Sequence, residues 1–149
     1  MPLPLRIDCA HATDHVVAAT VARRFAEDAG FSAHGASAVA IAVGELVSNA
    51  VRHAGFGTLE LSSLSPPSPG VQIRVSDRGP GIPEQMLHTV EGWQKSVPLP
   101  ESVLSATDHG LAAVIRLVDT LLIRSSSAGT HIEAVCLVKP VRSGRFGSK

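Results

Sequence analysis

The chain has 149 residues, 44% of them hydrophobic, and thirteen basic side chains balance thirteen acidic ones to a formal net charge of zero. That length and apolar content fit one domain around one core, and the charge balance leaves no general field to draw the protein onto nucleic acid or an anionic membrane. Aromatic residues make up only 3% and tyrosine is absent, which removes the stacking platforms that single-stranded nucleic acid needs. No apolar run approaches the ~18 residues of a membrane span, and Arg6 and Asp8 interrupt the start before any leader-like stretch. Cys9 and Cys136 lie far apart with no metal-type spacing, as reduced thiols in a cytosol do. The expectation is a cytoplasmic protein with no direct nucleic-acid or membrane partner.

In chain order, Leu3 to Asp8 alternates loosely and predicts a first strand, after which Asp14 is placed to cap a helix. Val17, Val21, Phe25 and Ala29 recur at helical spacing up to a stop at Gly30. A second helix is predicted from Ala36 to Ala54, with Val39, Val43, Leu46, Val47, Ala50 and Val51 as its apolar side and Gly55 and Gly57 ending it. Thr58 to Leu64 and Val71 to Asp77 alternate as two strands about the Pro-rich turn Ser65 to Gly70. Arg78 to Asp108 is a long irregular connection, with a short helical candidate at Pro83 to Val90, and such connections are often lids. His109 to Asp119 then suits a helix, and Leu121 to Ser127 with Thr130 to Val138 a hairpin turning at Ala128-Gly129. The expected fold is α+β, a two-layer sandwich with a mixed, mostly antiparallel sheet and its helices on one face. Residues 1–140 form the single domain and 141–149 a frayed tail.

Three segments carry chemistry. On the second helix Glu45, Asn49 and His53 fall at i, i+4 and i+8 and share one polar stripe; a solvated helix face would show the same spacing. After the third strand, Asp77-Arg78-Gly79-Pro80-Gly81-Ile82-Pro83 sets a carboxylate beside bare backbone, where a flat heterocycle can approach and an exocyclic amino group can donate to the acid. An ordinary tight turn is the alternative. Gly110 and Leu111 open a helix, and the unpartnered N–H groups of a helix start are phosphate sites.

Together these segments resemble the N box and the two glycine boxes of the GHKL (Bergerat-fold) ATPase superfamily. Glu45-Leu46-Val47-Ser48-Asn49-Ala50-Val51-Arg52-His53-Ala54 resembles its E-x-x-x-N-A-x-x-H-A run, and Asp77 to Ile82 its D-x-G-x-G-I. Gly110-Leu111 with Leu117-Val118-Asp119 resembles the last segment, and Gly129-Thr130 a Gly-Thr pair before the final strand. The resemblance implies ATP and Mg2+ as cofactors. It implies Asn49 as the magnesium ligand, Asp77 as the adenine anchor, Gly79 and Gly81 as adenine-pocket glycines, Gly110 as a phosphate contact and Thr130 as an adenine support. The matched positions add His53, Ile82 and Leu111 to the nucleotide-contacting set. Glu45, one turn before Asn49, is the expected catalytic base.

Among members of the superfamily, the short stand-alone serine/threonine kinases, switch kinases of the RsbT kind and anti-sigma kinases of the RsbW kind, fit the length best. The RsbT kind is favoured by the His53-Ala54-Gly55-Phe56-Gly57 exit from the N box and by the loop after Asp77. The resemblance implies a STAS-domain antagonist or scaffold protein as phosphoacceptor partner, with a sigma factor or phosphatase regulator as the alternative partner, and it leaves a homodimer open. One position departs from the pattern: Asp108 stands where these kinases carry the first glycine of the second glycine box. At ~5 Å and an effective dielectric of ~20, a carboxylate and a phosphate charge repel by roughly 3 kcal/mol, and an Asp108 that instead caps the following helix takes the N–H groups a phosphate would use, so weak ATP affinity is expected either way. Trp93 is expected to anchor packing in the lid and Arg116 to be a solvated helix charge.

Overall fold

The computed structural model describes residues 2–79, 93–94 and 109–140. Its elements run β1 (Leu5–Cys9), α1 (Asp14–Asp28), α2 (Ala33–Ala54), β2 (Gly57–Leu64), β3 (Gly70–Asp77), β4 (Trp93–Gln94), α3 (His109–Leu117), β5 (Thr120–Ser126) and β6 (Gly129–Leu137). The strands form one sheet in the order β1-β2-β3-β6-β5-β4. Every pairing among the described residues is antiparallel, with no parallel pair among them, in the α+β sandwich expected.

Period-two alternation decides which face is covered. Leu59 and Leu61 on β2, Val71, Ile73 and Val75 on β3, Leu121 and Ile123 on β5, and Ile132, Ala134 and Cys136 on β6 are all buried toward the helices. Burying the Val, Leu and Ile side chains among them contributes about 1.5–3 kcal/mol each, which makes this face the core. Cys9 and Cys136 are both buried free thiols, and burial, with Asp14 and Asp8 nearby, pushes the Cys9 thiol up from its ordinary value.

The helices depart from expectation in detail. On α1 the buried residues are Ala18, Ala22, Phe25 and Ala26, while Val17 is 57% exposed. Small alanines let the backbone of α1 lie close to its neighbours, and the larger valines mislead a reading by size. α2 starts at Ala33, a turn-length before Ala36, because Ser32 accepts the Gly35 N–H at 3.1 Å and caps it. Of the long connection from Arg78 to Asp108, the described part is Arg78, Gly79, Trp93 and Gln94, and the backbone of the last two pairs with Ile123 and Leu122. The Pro83 to Val90 helix, Asp108 and the 141–149 tail lie outside the described residues. Arg116 is exposed, as expected of a solvated charge. Asp119, matched above to the family's last segment, accepts the Leu137 N–H at 2.8 Å and pairs with Lys139 at 2.6 Å. It ties the end of β6 to the exit of α3. No described helix is long and apolar enough to cross a membrane.

Asp14 is not the N-cap; Thr13 holds that position without a side-chain bond. The Asp14 carboxylate instead reaches back and accepts the N–H groups of Ala10 and His11, each at 2.9 Å. Those two bonds hold it below its ordinary value of 3.8. A carboxyl depressed in the folded state contributes stability above its unfolded pKa and loses it as pH falls through the folded one. Asp14→Ala is therefore expected to unfold at lower urea concentration than the wild type near neutral pH. The difference in midpoint should shrink as pH drops through 3.8 and below, and an undiminished difference in acid would contradict the assignment.

Candidate functional site

α2 is held at both ends, and this fixes where its polar stripe lies. Gly55 takes a left-handed φ of 78° and donates its N–H to the Val51 carbonyl at 2.7 Å, a turn only glycine adopts without strain. The chain then doubles under the helix at Gly57, where a Cβ would come within 2.8 Å of the Ala50 Cβ. With Val39, Val43, Leu46, Val47 and Ala50 buried against the sheet, the flank of α2 presents Glu45 and Asn49, both half-buried. They stand one turn apart, about 6 Å along the axis. His53, the third member of the stripe, is exposed and sits with Arg52 in the last turn, where cations complement the helix dipole.

Asp77 closes β3 and pairs in register with Thr130 on β6. Its Oδ1 accepts two backbone donors, the Gly79 N–H at 2.9 Å and the Thr130 N–H at 3.3 Å. Among the described residues no donor stands on Oδ2. One oxygen is thus anchored and fixes the plane of the carboxylate, while the other is left to accept a bond from outside. Gly79 brings the turn after β3 against the end of α2, since a Cβ there would be 2.6 Å from the Ala54 Cβ. Gly129, at φ 144°, does the same from β6: an added Cβ would run into the Asp77 carbonyl oxygen. The sequence pattern assigns Gly129 no role in the site beyond its place beside Thr130. Its effect, packing β6 onto the backbone of Asp77, is visible only once the strands are paired.

α3 packs against α2, burying Val114 and, just beyond its end, Val118. Gly110 and Leu111 fall in its first turn, where backbone N–H groups lack helical partners. The structure therefore brings Glu45, Asn49 and His53 onto one helix, Asp77, Gly79 and Thr130 into one bonded turn beside its end, and Gly110 and Leu111 onto the neighbouring helix. Gly81 and Ile82 lie outside the described residues.

The donor set fits the groups expected of it. The Asn49 amide and the Glu45 carboxylate offer hard oxygens, and among the described residues no group of three His, Cys, Asp or Glu forms a metal cage. Magnesium, which keeps waters and phosphate oxygens and takes few protein ligands, suits such a site. The free Asp77 oxygen beside Gly79 suits a flat base with an exocyclic amine.

A layer of helices over an antiparallel sheet, with the polar flank of α2 beside the turn that closes β3, is the architecture of a kinase-like ATPase domain. The chain belongs to the histidine kinase-like ATPase domain family, whose family model matches residues 9–136. Among solved structures, the histidine kinase domain from the Erythrobacter litoralis EL346 blue-light activated histidine kinase matches at 22% identity and a TM-score of 0.48, over 70% of this chain and 48% of that one. The mycobacterial sensor histidine kinase MprB matches at 21% identity and a TM-score of 0.44, over 93% of this chain and 100% of that one. The chain spans about half the length of the first of these. No curated protein matches it in sequence.

Proposed function

We propose that the chain binds ATP with magnesium between the flank of α2 and the turn after β3 and transfers the γ-phosphoryl group to a serine or threonine hydroxyl of a STAS-domain regulatory partner, as a switch kinase of the RsbT kind. The observation that carries the reading is the pairing of a two-oxygen helix stripe, Glu45 and Asn49, with a carboxylate whose Oδ1 is tied down by Gly79 and Thr130. Asp77 Oδ2 would accept the adenine amino group, the first turn of α3 at Gly110 would meet phosphate oxygens, and the Asn49 carbonyl would hold the metal. Magnesium, when bound, neutralises charge on the transferring phosphoryl group. Glu45 takes the proton of the acceptor hydroxyl while its oxygen bonds the γ-phosphorus and ADP departs.

A second reading rests on Asp108: a carboxylate two positions before Gly110 in the sequence favours a domain that sequesters a sigma factor or another regulator with its chemistry weakened. Incubation with γ-labelled ATP and a STAS-domain protein encoded beside it separates the two. The kinase reading predicts label on the partner that survives acid, as a serine or threonine phosphoester does. Acid-labile label would indicate transfer to histidine, and a stable complex without label would favour sequestration.

A further inference from the structure

The face of the sheet turned away from the helices is polar, and most of its charges stand in matched order. Across four adjacent strands one outer row reads Arg6, Glu60, Arg74, Glu133, each residue the direct partner of the next. Arg74 pairs with Glu133 at 3.2 Å, and Glu60 stands between two arginines. The row beside it reads Asp8, Thr58, Ser76, His131. Phe56 and Arg78 follow just outside the paired strands, and there the matching stops. Arg78 is exposed, and its guanidinium has no ion pair among the described residues. Phe56 is 46% exposed. Both line a depression of about 540 Å³ together with Thr58 and Ser76.

The two hydroxyls of the depression are not equivalent. Thr58 donates to Asp8 Oδ1 at 3.2 Å, so its proton is engaged. Ser76 Oγ lies 2.7 Å from His131 Nδ1. When that nitrogen carries the ring proton it donates to Ser76, and the Ser76 O–H is left to donate into the depression. An unpaired cation and a directed hydroxyl thus meet beside an open aromatic ring. Arg6, also in the lining, approaches Asp8 only to 3.6 Å, too long for a hydrogen bond, and adds a second cation. Two carboxylates border the same space. Glu60 lies at the end away from Arg78, between Arg6 and Arg74, and Asp77 has its Oδ1 tied to the Gly79 and Thr130 N–H groups.

We propose that this depression binds a small aromatic anion, its charged oxygens on the Arg78 guanidinium and the Ser76 hydroxyl and its ring against Phe56. A guanidinium presents paired donors whose spacing suits a carboxylate or a phosphate. An exposed phenylalanine takes a second ring offset or edge-on, and the volume is that of a small-molecule site. With one unpaired arginine and one hydroxyl as the direct donors, the site is weak and its affinity falls as salt is raised. It lies on the opposite face of the sheet from α2 and does not rest on the nucleotide reading.

Titration of the full chain with phenyl phosphate, benzoate and inorganic phosphate, followed by NMR at low salt without nucleotide or magnesium, tests it. Phenyl phosphate is expected to give saturable shifts at Phe56, Ser76 and Arg78. It should bind at least about 3-fold more tightly than inorganic phosphate, because only its ring reaches Phe56. Benzoate binding at the same residues assigns the site to aromatic acids in general, and phenyl phosphate binding alone assigns it to phosphate monoesters. Arg78→Gln should weaken phenyl phosphate about 10-fold or more and Ser76→Ala about 3- to 10-fold, since each removes a hydrogen bond to a charged group. Phe56→Ala should bring phenyl phosphate down to the level of inorganic phosphate. Circular dichroism confirms that each variant is folded, and if Ser76→Ala is not, Arg78→Gln on its exposed side chain carries the test. No saturable shift, or an Arg78→Gln chain that binds as tightly as the wild type, would overturn the inference. So would shifts confined to Asn49 and Gly110, which would put the anion in the nucleotide site instead.

Discussion

Asp77→Asn is expected to lower ATP affinity roughly 10- to 100-fold with little effect on folding. The asparagine carbonyl can still accept the Gly79 and Thr130 N–H groups that Oδ1 accepts now, so the turn and the β3–β6 pairing survive. Its amide NH2, however, replaces Oδ2, and a donor then confronts the donating amino group of adenine. A hydrogen bond to a charged acceptor is worth about 1.5–3 kcal/mol, which sets the size of the loss. The same NH2 can donate to the carbonyl of guanine, so the ratio of ATP to GTP affinity should fall further than ATP affinity alone. Calorimetric titration of both nucleotides reads this out. Equal loss for both, with the chain folded, would mean that Asp77 supports the turn and does not read the base.

Glu45→Gln should leave ATP affinity within about twofold and reduce phosphoryl transfer by about 10²–10⁴. The substitution keeps size and hydrogen bonding on a half-buried position of α2 while removing the carboxylate proposed as base. Asn49, the proposed magnesium ligand, is left unchanged one turn away, so metal and nucleotide binding are expected to persist. The diagnostic result is the split: transfer falls and binding does not. Transfer at the wild-type rate would take Glu45 out of the mechanism, and parallel loss of both would make it a binding residue.

Much of this was legible before any coordinates, for reasons that are local. The β2 and β3 boundaries follow from strict alternation about the Pro-rich turn, and the end of α2 from Gly55, whose left-handed φ no other residue takes cheaply. The Glu45–Asn49 stripe is a matter of helical period alone. What failed was less local. The buried face of α1 is alanine, which carries a weak hydrophobic signal, so Val17 drew the reading to the wrong side. Asp14 sits where a cap would, and only geometry shows it reaching backward. β4 is two residues long, too short to alternate. Gly129 acts through a residue on another strand, Asp77, and the Arg6-Glu60-Arg74-Glu133 row exists only in the register of four strands. The partner and its acceptor hydroxyl belong to another molecule, so no residue of this one spells them out.

The most direct measurement is the change in NMR shifts of the full chain as magnesium and ATP are added. The account predicts saturable shifts concentrated at the Gly79 and Thr130 amides, which share Asp77 Oδ1, and at the Asn49 side-chain amide, with the outer row at Glu60 and Arg74 unmoved. Saturation without movement of Gly79 and Thr130, or no shift at any nucleotide concentration, would contradict it.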